Sequence, residues 1–183
     1  MRRKRRAGAM FLCAIVATTT FTGCAVEYHG YPSGIDGVLW RQVASFEDPL
    51  SQRLYSPPVD GPTAYLDTLP GARWDGDAPS AAEFEIEQGG IVLYNISSTD
   101  ASAHVSVFIA SGPRPAIPTD DGYAYNGPSE VYTCYDVRAD FRSQPMPSAE
   151  RDILTKCPTP LVELLAEDAA FVGGARKLDS CGA

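Results

Sequence analysis

Residues 83–110 run EFEIEQGGIVLYNISSTDASAHVSVFIA, three stretches of β-forming residues separated by short turn sequences. Glu83-Phe84-Glu85-Ile86-Glu87 alternates polar and apolar residues, Gln88-Gly89-Gly90 supplies a turn, and Ile91 to Ser97 is rich in β-formers. Period-two alternation marks a half-buried strand, so the spacing predicts a hairpin here. Thr99-Asp100-Ala101-Ser102 then turns the chain into Ala103 to Ala110. In that run Ala103, Val105, Val107 and Ile109 share one face and His104 and Ser106 the other, which completes a three-stranded antiparallel meander.

Outward from this centre, Val131 to Phe141 alternates again, with Val131, Thr133, Tyr135, Val137, Ala139 and Phe141 on one side and Tyr132, Cys134, Asp136, Arg138 and Asp140 on the other. It reads as a fourth strand. The connection Ser111 to Glu130 is long for a compact domain, and loops of that length are often functional. Thr159-Pro160 has the form of an N-cap and first helical residue, and Leu161, Leu164, Leu165 and Ala169 give an apolar stripe that stops at Gly173-Gly174. Ile35, Leu39, Val43 and Phe46 recur at near-helical spacing up to Asp48-Pro49, and one helical turn fits Thr63 to Thr68 between Pro62 and Pro70-Gly71. The fold class expected is α+β: an antiparallel sheet of about four or more strands with one or two helices packed on it. Residues 38–183 are expected to form one domain, and no internal repeat is present.

The chain opens Met1-Arg2-Arg3-Lys4-Arg5-Arg6 and continues through Ala9 to Ala17, almost wholly apolar. A basic start followed by an apolar run is the pattern of an export signal, and five cations hold the start on the cytoplasmic side. Phe21-Thr22-Gly23-Cys24 resembles the bacterial lipobox, with Phe21 where leucine is usual. The resemblance implies a signal peptide over 1–23, removed so that Cys24 becomes a lipidated N-terminus. Ordinary signal-peptide cleavage at Gly23-Cys24-Ala25 and a retained membrane-spanning anchor are the alternatives, and both also export the domain. Two acyl chains suffice for stable anchoring, at ~0.8 kcal/mol per buried methylene. Residues 24–37 then form the lipidated cysteine and a Gly- and Pro-containing tether, up to ~40 Å long at about 3.3 Å per residue.

Removal of residues 1–23 leaves ten cations against 23 carboxylates, a formal charge of -13 over 160 residues. Phosphate binding requires clustered Lys and Arg, so this charge argues against nucleic acid as a partner. Three cysteines remain for the domain: Cys134, Cys157 and Cys181. Outside the cytoplasm a disulfide is expected, either Cys134 with Cys157, joining strand to helix, or Cys157 with Cys181. No C-x-x-C pair exists and only His29 and His104 supply imidazoles, so no metal or other cofactor is expected. Asp75-Gly76-Asp77 and Asp120-Asp121-Gly122 do not match the spacing of an EF-hand loop and read as Asx turns.

Strings diagnostic of common hydrolases and phosphate-binding loops are absent. Thr133-Cys134, with Arg138 or Arg142 after it and His104 before it, resembles sortase-type transpeptidases, which implies Cys134 as nucleophile and His104 as its partner. Tyr123, Tyr125 and Tyr132 in and beside the long loop offer flat amphipathic rings suited to an envelope protein or glycan. The functional expectation is a lipid-anchored binding or interaction module of the cell envelope, facing outside the cytoplasm, with a cysteine-dependent envelope enzyme as the alternative.

Overall fold

The computed structural model describes residues 37–57, 60–115, 127–142 and 147–173. The first helix, α1 (Gly37–Tyr55), continues through Pro49, where the sequence suggested an end. A proline inside a helix costs ~3 kcal/mol or more. Beyond it Leu50 and Leu54 extend the stripe of Leu39 and Val43 and are fully buried. Burying each leucine contributes about 1.5–3 kcal/mol, enough to offset the break.

There follow α2 (Pro62–Asp67), with proline in its first turn, and β1 (Ala72–Arg73). After α3 (Ala78–Ala81) the chain reaches β2 (Gly90–Ser98), β3 (Ser102–Ala110) and β4 (Val131–Asp140). The last elements are β5 (Ser148–Ile153), α4 (Thr159–Val162) and β6 (Ala170–Phe171). The sheet order is β1-β2-β3-β4-β5, with β6 beside β4. The central pairs are antiparallel, whereas β1 on β2 and β6 on β4 are parallel, so the α+β fold carries a mixed sheet.

The expected hairpin at Glu83–Glu87 does not form. Ile86–Gln88 is a 3-10 turn, and β1 takes the place beside β2. Burial alternates as read, with Ile86 inside and Glu85 and Glu87 outside, but five residues of alternation fit a tight turn as well as a strand. Gly89, at φ +89, lies so close to the chain at Ser111 that an added Cβ would stand 2.7 Å from the Ser111 carbonyl oxygen. Gly89 therefore serves a close backbone crossing rather than a hairpin turn.

The terminal helix is also shorter than its stripe. It stops after one turn: the last helical donor is the Glu163 N–H, the Leu165 N–H bonds back to Val162 in a tighter turn, and the Ala166 N–H donates to the Glu130 carboxylate. Asp168 is drawn off similarly, accepting from the Ser129 N–H at 2.9 Å and the Ser129 hydroxyl at 2.5 Å.

Both faces of the sheet are used. On the first, α1 and α2 cover Leu93, Val105, Val107, Ile109, Tyr135 and Val137. On the second, Val92, Tyr94, Phe108 and Cys134 pack under Trp74, Ala81, Ile86, Leu161 and Leu165. Among the described residues, no helix is long and apolar enough to cross a membrane.

Candidate functional site

Cys134 is fully buried on the second face and joined to Cys157, with Sγ atoms 2.01 Å apart and Cα atoms 5.6 Å apart. The bridge ties β4 to the segment that leads into α4. Cys181, its rival for Cys157, lies outside the described residues, as do Cys24, Tyr123 and Tyr125.

The structure does not bring Cys134 and His104 together. His104 faces Arg138 across the β3–β4 ladder, and Cys134 faces Phe108. Four residues of strand separate the two positions, roughly 13 Å. The Ser106–Asp136 pair lies between them. A thiol engaged in a disulfide is no nucleophile, so Cys134 and His104 form no thiolate–imidazole pair.

His104 belongs to a different cluster. Its Nδ1 lies 3.2 Å from the Asn95 carbonyl oxygen and its Nε2 3.9 Å from Asp136 Oδ2. The Ser106 hydroxyl donates to Asp136 Oδ1 at 2.5 Å and accepts from the Asn95 amide at 3.2 Å. The carboxylate therefore stands between serine and imidazole, the reverse of the order in which an imidazole activates a hydroxyl. Asn95, at φ +49, marks an irregularity where the β2–β3 register shifts between Tyr94 and Ser97. Tyr94 beside it is buried, and its hydroxyl has no hydrogen-bond partner of regular geometry. Burial, helped by the charge of Asp136 and opposed by Ser106, pushes its pKa up to about 12.

Tyr132 packs against two other rings. It is half-buried in a stack, 5.8 Å from Phe108 and 5.7 Å from Phe171 between ring centroids. At the Asp75 turn, the Asp75 carboxylate accepts from the Asp77 N–H at 3.0 Å and the Ser80 hydroxyl at 2.8 Å, and these bonds hold its pKa below the usual range. That is an Asx turn. Among the described residues, no group of three His, Cys, Asp or Glu side chains is placed to hold a metal ion.

No known protein family, curated protein or solved structure matches this chain.

What distinguishes the second face is that, among the described residues, only half of it is covered. Toward the bridge it is apolar and buried. Toward the far ends of β3, β4 and β5 it carries His104, Asp136, Arg138, Glu150 and Asp152, all reached by solvent. Arg138 stands opposite Glu150 in the β4–β5 ladder, whereas Asp152 stands directly opposite Asp136. Facing like charges on adjacent strands are destabilising. Among the described residues, neither Glu150 nor Asp152 forms an ion pair. Sequence reasoning placed Asp136 and Arg138 on one face but missed β5, because Ser148-Ala149-Glu150-Arg151-Asp152-Ile153 lacks the apolar alternation of a core strand. The one signal was its β-branched end at Ile153.

On the opposite face, Arg151 lies with its guanidinium carbon 3.6 Å from the centre of the Tyr135 ring and pairs with Glu47 of α1 at 2.5 Å. This fastens β5 to the helix and fixes how its other side chains are presented.

Proposed function

We propose that the chain is a lipid-anchored interaction module of the bacterial cell envelope, carried outside the cytoplasm and held to the membrane through Cys24. The observation that carries the reading is the use of Cys134: the cysteine that resembled a nucleophile is a buried crosslink between sheet and α4. Structural disulfides belong to oxidising compartments, which agrees with the export signal at Met1 to Gly23. The same bond leaves the sheet without the thiol that the enzymatic alternative needs. An acidic exported domain on a tether of Gly- and Pro-containing sequence is suited to meeting partners at the membrane surface. The loop 111–130 with Tyr123 and Tyr125 remains part of the proposed contact region.

The test has two arms. Bacteria producing the full chain are fed an alkyne fatty acid, and label should appear on the wild type and vanish in Cys24→Ala, which should also leave the membrane fraction. Absence of label on the wild type refutes the anchor. Alkylation of the purified chain should modify Cys134 only after reduction. Modification without reductant restores the enzymatic reading and removes this one.

A further inference from the structure

β5 ends the sheet. It pairs with β4 on one side, and among the described residues nothing pairs with its other side. The direction of its backbone groups follows from the ladder. Leu154 N–H donates to the Cys134 carbonyl, and the antiparallel register places Leu154 opposite Cys134. In such a ladder hydrogen-bonded pairs alternate with non-bonded ones, so residues 150 and 152 turn their N–H and C=O toward β4. Ala149, Arg151 and Ile153 turn theirs outward. An unpaired row of this kind is a template for another strand.

The side chains define which strand. Glu150 and Asp152 are exposed on the second face, at positions where an added antiparallel strand would form its non-bonded pairs, about 4.5 Å between Cα atoms. Asp152 already faces Asp136, so a cation placed beside it relieves a repulsion within the fold. A second copy of this chain is a poor occupant. A twofold axis perpendicular to the sheet keeps both copies' faces aligned, so in every central register Glu150 or Asp152 would stand opposite Glu150 or Asp152 of the other copy.

We propose that the outer edge of β5 is the docking site for an extended segment of a partner protein with Lys or Arg at alternate positions, added as a further antiparallel strand. Its cations lie over Glu150 and Asp152, and its intervening small or β-branched residues lie beside Ala149 and Ile153. This deepens the reading of the chain as an interaction module and rests on it.

The experiment uses the mature chain from Cys24, purified in detergent, with a blocked heptapeptide of alternating lysine and threonine as probe and its glutamate counterpart as control. Fluorescence anisotropy should show binding of the lysine peptide only. Hydrogen exchange should slow at the amides of 149, 151 and 153, which point outward. Glu150→Lys with Asp152→Lys should reverse the peptide preference by about tenfold or more, a change of ~1.4 kcal/mol. Ala149→Pro, which removes one outward N–H, should abolish binding. Equal binding of both peptides, no binding at millimolar concentration, or binding that slows no exchange along β5 overturns the proposal. The exchange pattern of the wild type decides the matter even where Ala149→Pro fails to fold. Lipid labelling of the same preparations separates the two failures: label at Cys24 without peptide binding removes the β5 site and leaves the anchored module standing.

Discussion

Breaking the Cys134–Cys157 bridge should destabilise the domain by an amount that its position in the chain sets. The two cysteines are separated by 23 positions. In the chain-entropy model, closing a loop of about that length removes ~11.5 cal/mol/K from the unfolded ensemble, or ~3.4 kcal/mol at 25 °C. For a domain of this size each kcal/mol moves Tm by roughly 2–4 °C, so loss of the bridge should lower Tm by about 10 °C. Differential scanning calorimetry of the purified chain with and without dithiothreitol measures the effect directly. Cys157→Ala isolates the bridge better than Cys134→Ala, because Cys134 is fully buried among Phe108, Leu161 and Leu165 and its truncation adds a packing loss. Cys157→Ala should therefore reproduce the reductant effect, while Cys134→Ala should exceed it. Cys181→Ala should leave both Tm and reductant sensitivity unchanged. A Tm insensitive to reductant, or sensitivity abolished by Cys181→Ala, refutes the pairing and the argument built on it.

Glu130 is buried at the foot of the β3–β4 connection, with one carboxylate oxygen lacking a partner. Desolvation raises its pKa, the Ala166 N–H opposes the rise, and the charges of Asp168 and Glu87 add to it. A carboxylate raised on folding contributes stability that is full below its unfolded value, about 4.3, and is lost as pH rises through the folded value. Glu130→Gln should accordingly raise Tm at pH 7 and make no difference near pH 4; a lower Tm at pH 7 contradicts this. Glu47→Gln leaves Arg151 half-paired beneath α1 and should cost about 1–3 kcal/mol in urea unfolding, whereas a change within error means that the pair is solvated. Gly112, at φ +70, packs against the Gln88 backbone, so Gly112→Ala should cost more than the ~1–2 kcal/mol of the left-handed conformation alone, read by the same denaturation.

The central strands were legible because their alternation is long. Val105, Val107 and Ile109 against His104 and Ser106, and Val137 and Ala139 against Asp136 and Arg138, hold one register over at least eight residues, and a slip of one would expose a whole core face. The misread elements are those whose local signal was short or was overruled at a distance. Pro49 is locally a stop signal, and the buried leucines beyond it, Leu50 and Leu54, overrule it. Glu83–Glu87 alternates for only five residues and was folded into a turn by the crossing at Gly89 and Gly112. The stripe from Leu161 to Ala169 is long enough for a helix, but the chain tightens at Leu165 and the Ala166 N–H is held by Glu130, some 36 positions away. The candidate site was hidden for a related reason: Asp136 was visible, but its meaning depends on Asp152, which faces it only once β5 is paired.

That dependence explains why, among the described residues, the second face is half covered. A core requires apolar side chains on every strand it spans, and β5 supplies none to this face, where it presents Ser148, Glu150 and Asp152. The covering layer of α3, the 3-10 turn and α4 therefore ends over β2, β3 and the start of β4, where Val92, Phe108 and Cys134 lie. Beyond it, charge on the exposed face and a backbone edge that no described residue pairs occur on the same strand, Ser148–Ile153. Had β5 been needed only to close the sheet, lysines or a proline would have blunted it without setting Asp152 against Asp136. The repulsion is tolerated because Arg151, on the other face, is held by Glu47 and Tyr135 and keeps the strand in place. The strand is thus fastened by one face and left unsatisfied on the other, the condition under which an added cationic strand gains both backbone pairing and charge neutralisation.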